Sequence, residues 1–148
     1  DTLNERREAL TLARQTLAQA NAALAERFSP RLVREASEIF SELTGGRYAR
    51  VQISRQMELE AGQPDAAMRR SLFLSGGTAD ELYLSVRLAV CRLLLPEDAP
   101  IVLDDALAMF DDDRLCLALC LLQREAANRQ ILLFTCQSRE RRCLSADG

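Results

Sequence analysis

The chain has 148 residues, 48% of them hydrophobic and 28% charged, with a net charge of −3, the make-up of a single packed domain with no electrostatic footprint for nucleic acid. It contains no His, and all nineteen of its basic residues are Arg, which excludes His-based triads, the common zinc sites and any complete phosphate loop of the G-x-x-x-x-G-K-[ST] type. No apolar run is long enough to span a bilayer and the first residues lack a signal-peptide pattern, so the expected compartment is the cytoplasm; a first residue that is Asp rather than Met suggests an excised or processed chain.

From Thr2 to about Arg27 there is neither Gly nor Pro, and Leu3, Leu10, Leu17 and Leu24 recur at heptad spacing. This predicts a long helix, either the end of a coiled coil or an amphipathic helix lying on its own domain, since Arg7, Arg14 and Asn21 make a poor second seam. Ser29-Pro30 is expected to interrupt it, with Ser29 as N-cap and Pro30 at the first position of a second helix that ends near Leu43 and turns Ile39, Phe40 and Leu43 to the core. The domain organisation expected is therefore a coiled-coil end over 1–28 and a globular lobe over 29–148. Thr44-Gly45-Gly46 stops the helix; Tyr48, Val51 and Ile53, then Met57 and Leu59, predict a hairpin, with Ala61 to Asp65 as loop. Leu72-Phe73-Leu74 leads to Ser75-Gly76-Gly77 and a strong helix over Thr78 to Leu95, whose inner face carries Leu82, Val86, Ala89, Val90 and Leu93. Ile101-Val102-Leu103 ends in Asp104-Asp105, a helix follows over about Asp112 to Ala127, and Ile131 to Thr135 forms another apolar strand. Strand, helix and strand in this order predict an α/β fold with two buried parallel strands and a right-handed crossover.

The cysteines form an odd set without framework spacing, and Cys91, Cys116, Cys120 and Cys136 stand among apolar neighbours, so reduced, buried thiols are expected. Cys116 and Cys120, one turn apart, would need His or further thiols nearby to hold a metal, and are read as core.

Two places carry chemistry. Ser75-Gly76-Gly77-Thr78 puts glycines and hydroxyls just ahead of a long helix, an anion cradle in which the backbone approaches a phosphate and the helix dipole favours its charge. The same residues also fit a plain helix start, with Thr78 and Glu81 as a capping box. Asp104-Asp105, at the end of an apolar strand, suits Mg²⁺, which is held through one or two carboxylates plus waters and phosphate oxygens; a pair of turn-capping aspartates is the alternative. Asp111-Asp112-Asp113 suits the N-terminus of the next helix. A receiver domain with an acidic Mg²⁺ pocket is ruled out because that site requires a Lys.

On these residues the chain resembles a known family. LSGGTADELYLSVRLA is similar to the signature motif and helix of ABC ATPases in the SMC, SbcC and YhaN variant; IVLDDALAMFDDDR resembles the Walker B strand and D-loop, and ILLFTCQS the strand leading to the switch residue. LTGGRYARVQIS resembles the stretch that follows the descending coiled coil, and the four come in family order between about residues 41 and 138.

The resemblance implies half of a P-loop ABC head, its C-terminal lobe, of a coiled-coil DNA-repair or chromosome-maintenance ATPase that uses ATP and Mg²⁺. Its partners would be its own N-terminal Walker A lobe, a second head in a homodimer and, beyond these, DNA and a nuclease subunit, but no membrane. By position, Ser75, Gly76, Gly77 and Thr78 would meet the γ-phosphate of ATP in trans, Asp104 would hold Mg²⁺, Asp105 and Gln137 would be catalytic, and Asp111 would be the D-loop aspartate at the dimer seam. Three departures are plain: Asp105 stands where Glu is common, Gln137 where His is common, and Thr78 where Gln or Glu often ends the signature. They suit a slow hydrolase, inactive as this segment alone, and equally a non-hydrolysing dimerisation or scaffold module.

Overall fold

The computed structural model describes residues 2–54, 58–96 and 98–146, and the chain divides into two compact units, Asp1–Arg31 and Leu32–Gly148. Helix α1 runs over Thr2–Leu43 with Pro30 inside it, so the expected break at Ser29-Pro30 does not occur. Proline removes one N–H and crowds the carbonyl four residues back, at a cost of about 3 kcal/mol. Helix-favouring sequence on both sides and a firmly buried downstream stretch carry the helix through it. In the first unit Leu3, Leu10 and Leu17 are exposed at 83%, 64% and 68%, an uncovered heptad stripe; the side chain of Leu24 lies outside the described residues.

In the second unit the last turns of α1 bury Leu32, Ala36, Ile39, Phe40 and Leu43, spaced to form one helix face. The helix ends in a Schellman motif: Gly46 N–H donates to Ser41 O (2.7 Å) and Gly45 N–H to Glu42 O (3.1 Å), with both glycines at positive φ. This turn returns Tyr48 onto Phe40, ring centroids 5.3 Å apart. Ser37 Oγ then accepts from Val51 N–H (3.0 Å) and seats the first strand on the helix.

Strand β1 (Arg50–Ile53) pairs antiparallel with β2 (Leu59–Gly62), which pairs with β3 (Arg69–Arg70). The expected hairpin is present, but Ala61 and Gly62 belong to β2 rather than to a loop, since Val51 and Arg50 pair with them; Met57 falls outside the described residues. A 3₁₀ turn over Ser71–Phe73 leaves Leu72 and Phe73 exposed and leads into α2 (Gly76–Leu94), which starts two residues earlier than read. Its buried residues include Leu82, Leu84, Ser85, Leu88 and Ala89, so Val86, Val90 and Leu93 flank the inner face instead of forming it.

Strand β4 (Ile101–Asp104), helix α3 (Asp112–Glu125) and strand β5 (Ile131–Phe134) form the expected parallel unit, in register from Ile101↔Ile131 to Asp104↔Phe134. The strands are not buried on both faces: Ile101 and Leu103 are, whereas Val102 (59%), Leu132 (39%) and Phe134 (57%) are exposed. Helix α4 (Arg139–Ala146) follows. The cysteine expectation is also corrected. Cys116, Cys120 and Cys136 are exposed and Cys91 half-buried, all as free thiols. On α3 the inner face is taken by Leu115, Ala118, Leu119, Leu121 and Leu122, which turns both its cysteines outward. Arg92 of α2 binds Glu125 of α3 (Nε–Oε1 3.0 Å) and Glu35 of α1 (Nη1–Oε2 3.4 Å), joining three helices of this unit. Among the described residues no helix is long and apolar enough to cross a membrane.

Candidate functional site

The parallel register brings the tips of β4 and β5 together, and with them Asp104, Asp105 and Gln137. Asp104 ends β4 paired with Phe134, its side chain exposed and without a hydrogen bond or ion pair among the described residues. Asp105 N–H continues the ladder to Phe134 O (2.9 Å), yet its φ is +45°, a left-handed conformation that Asp tolerates better than most residues. One carboxylate oxygen, Oδ1, accepts from Cys136 N–H (3.0 Å) in the turn after β5. The Asp105 carboxylate, as an acceptor for the thiol and through its negative charge, raises the exposed Cys136 thiol above the ordinary range. Gln137 Nε2 donates to Ala108 O (3.4 Å), and its N–H donates to Thr135 Oγ1 (3.0 Å), so its amide lies against the loop that follows the acid pair.

The glycine turn lies at the start of α2, beside Met109 of the loop after β4. Ser75 is the N-cap of α2 with extended φ and ψ, but its hydroxyl caps no backbone group; it donates to Thr78 Oγ1 (2.8 Å). The capping box expected of Thr78 does not form, because the helix begins before it and Thr78 is a buried residue within its first turn. The first N–H groups of any helix lack intrahelical partners, so those of Gly76, Gly77 and Thr78 point out of the helix end with no Ser75 oxygen to receive them. A Cβ on Gly76 would meet nothing closer than Met109 Cε at 4.0 Å, leaving its backbone open to approach.

Asp111 N-caps α3, accepting from Arg114 N–H (3.0 Å), and pairs through Oδ2 with Arg114 Nε (3.2 Å). Asp111 and Thr78 line one polar pocket with Glu81 and Arg114. The predicted residues thus fall into two groups: Asp104, Asp105 and Gln137 at the strand tips, and Ser75 to Thr78 with Asp111 at two helix starts. Among the described residues no hydrogen bond or ion pair joins the groups.

Sequence reasoning missed Arg139 and Arg114 in this region and gave Glu81 only as the capping-box partner of Thr78. Arg139 donates to the carbonyls of Leu107 (3.2 Å), Ala108 (3.0 Å) and Phe110, holding the loop between β4 and α3 to α4. Glu81 is 1% exposed, and neither of its oxygens has a hydrogen-bond partner among the described residues. Arg114, at 3.5 Å, is its ion-pair partner. The signal for Glu81 was its place beside Thr78, Leu82 and Ser85 on the inner face, where an acid is out of pattern.

Burial pushes the Glu81 carboxyl up to about 7, outweighing the nearby Arg114 cation, with Asp111 adding to the rise and Arg47 opposing it. The folded state therefore holds a proton that the unfolded chain releases near its ordinary value of 4.5. Stability falls as pH rises through the window from about 4.5 to 7 and levels off above it. Urea unfolding at pH 5 and pH 8 checks this: Glu81→Gln should gain about 1–3 kcal/mol on wild type between the two pH values. An identical difference at both would contradict it.

No family model matches the chain. It is 34% identical over 110 residues to the uncharacterized protein YhaN of Bacillus subtilis (strain 168), a match covering 72% of this chain and 11% of that protein. In structure it resembles an SMC ATPase solved in work on ATP-driven dimerization and DNA-stimulated activation of SMC ATPases, with a TM-score of 0.69 at 20% identity over 83% of this chain and 76% of that one. It is also similar to the Smc head domain with an extended coiled coil from Pyrococcus furiosus, bound there to the C-terminal domain of ScpA, with a TM-score of 0.64 at 18% identity over 95% of this chain and 38% of the other.

Proposed function

We propose that this chain, whose fold is that of the C-terminal lobe of an SMC-like ATPase head, supplies half of a composite ATP site that closes when two heads of a longer protein pair. The observation carrying this reading is that α2 opens with N–H groups no side chain caps, while Asp104 stands exposed at the tip of β4. Neither feature serves the fold of its own chain. An uncapped helix start with two glycines receives phosphate oxygens, and Ser75 adds a hydroxyl.

The acid tip fits Mg²⁺. Asp104 offers a hard oxygen donor, and a Mg²⁺ ion there would take its other ligands from phosphate oxygens and water. When bound, the ion neutralises charge on the phosphates. Asp105 keeps one oxygen for the proton of the attacking water, its other being held by Cys136 N–H. Gln137 donates or accepts a hydrogen bond to that water but takes up no proton. As the water adds to the γ-phosphorus, its bond to the β-phosphate oxygen breaks. The signature turn of the opposite head, Ser75 to Thr78, offers its donors to the γ-phosphate, with Asp111 at the seam.

The phosphate loop belongs to a separate N-terminal lobe in this reading, and the exposed Val102, Leu132 and Phe134 suit the surface it covers. The uncovered Leu3, Leu10 and Leu17 stripe suits a coiled coil over residues 1–28, ahead of a lobe over 29–148. The whole protein is then a cytoplasmic, homodimeric DNA-repair or chromosome-maintenance ATPase, with DNA and a nuclease subunit as further partners; the segment alone turns over no ATP. A non-hydrolysing dimerisation head is the second reading, favoured by the Cys136 bond that ties down part of the Asp105 carboxylate.

Trans complementation tests the composite site. Full-length protein carrying Ser75→Arg, and separately Asp104→Ala, should each lose ATP turnover by about 100-fold or more. Heterodimers with one of each contain one site with both defects and one with neither, so turnover should return to a substantial fraction of wild type. Heterodimers as inactive as the parents would refute action in trans.

A further inference from the structure

We propose that Arg114 is a positioning residue that locks the glycine turn at the start of α2 to the loop before α3, so that the two segments act as one rigid surface. The inference rests on the paired-head reading, which gives both segments to the seam.

Three contacts converge on this one side chain. Its Nε lies 3.2 Å from Asp111 Oδ2 and 3.5 Å from Glu81 Oε1, so one nitrogen faces two acidic side chains. Its Nη1 fills the space over Gly77, where any Cβ would overlap it and would also come within 3.1 Å of Met109 O. Its own backbone N–H donates to Asp111 Oδ1, so the aspartate is held from both ends of the same residue.

The arrangement gives Gly77 a second reason to be glycine. Beyond any approach by phosphate, the missing side chain is the space the guanidinium occupies. Glu81 acts as an anchor: with its side chain buried and no hydrogen-bond partner among the described residues, the arginine is the cation that faces it from α3. A rigid guanidinium is required to set Nε between two acids while Nη1 lies over the glycine; an ammonium, with its one nitrogen, does not reach both places at once.

Hydrogen exchange and kinetics on the full-length protein test the lock. In Arg114→Ala, the amides of 75–79 and 106–111 should exchange at least tenfold faster, together, with kcat reduced tenfold or more and KM for ATP within twofold, since ATP first binds the other lobe. Arg114→Lys should recover less than half of either loss. Faster exchange in 106–111 alone, or none in either segment, would overturn the lock. So would a fall in kcat matched by an equal loss of folded protein. If wild-type protein neither pairs nor turns over ATP, the paired-head reading fails, and the exchange measurement on unliganded protein still decides whether Arg114 couples the two segments.

Discussion

Asp105→Asn in the full-length protein is expected to slow ATP hydrolysis by about 10²- to 10⁴-fold while ATP-dependent pairing of heads persists. The replacement is nearly isosteric. Asn tolerates the left-handed backbone that residue 105 adopts, at φ +45°, as well as Asp does, and its oxygen can still accept from Cys136 N–H. What disappears is the ability to take a proton from water. A phosphate-release assay reads the loss, and sedimentation with ATP reads the dimer. Unchanged turnover would remove Asp105 from the chemistry and favour the scaffold reading; loss of pairing as well would assign it a structural role.

The second large effect concerns the core. Phe40→Ala should lower stability by about 3–5 kcal/mol, because a buried aromatic is replaced by a void that close-packed neighbours fill incompletely. Phe40 is 0% exposed, packs on Tyr48, and receives at its carbonyl both the Thr44 N–H (3.0 Å) and the Thr44 hydroxyl (2.8 Å) that shape the helix end. Net stability of a domain this size is only about 5–15 kcal/mol, so urea or thermal unfolding should register a large drop. A loss below about 1 kcal/mol would mean that the helix end does not anchor this unit.

The parallel unit was readable because its signals are local: Ile101 to Leu103 and Ile131 to Phe134 are short apolar runs, and the acids after the first mark its end. The helix after Ser75 was readable for the same reason, although it begins at Gly76 and not at Thr78. What composition concealed was which side of each element stays open. Val102, Leu132 and Phe134 look like core residues, and only tertiary packing leaves them exposed. The cysteines of α3 were misjudged because apolar sequence neighbours on a helix point in different directions; Leu115 is inside and Cys116 is not. Ser29-Pro30 has the local pattern of an N-cap and first residue opening a second helix, whereas a long flanking helix outweighs the single defect. The placements of Glu81, Arg114 and Arg139 depend on contacts between distant segments, for which a lone chain carries no periodic signal.

The final turns of α1 are gripped from several directions. Ser37 holds β1, Arg92 bridges Glu35 to Glu125, and Arg124 pairs with Glu42. Torque reaching residue 32 would meet a keyed shaft, not a swivel: turning it requires the strand and both clamped helices to turn too, or these polar fastenings to shear one after another.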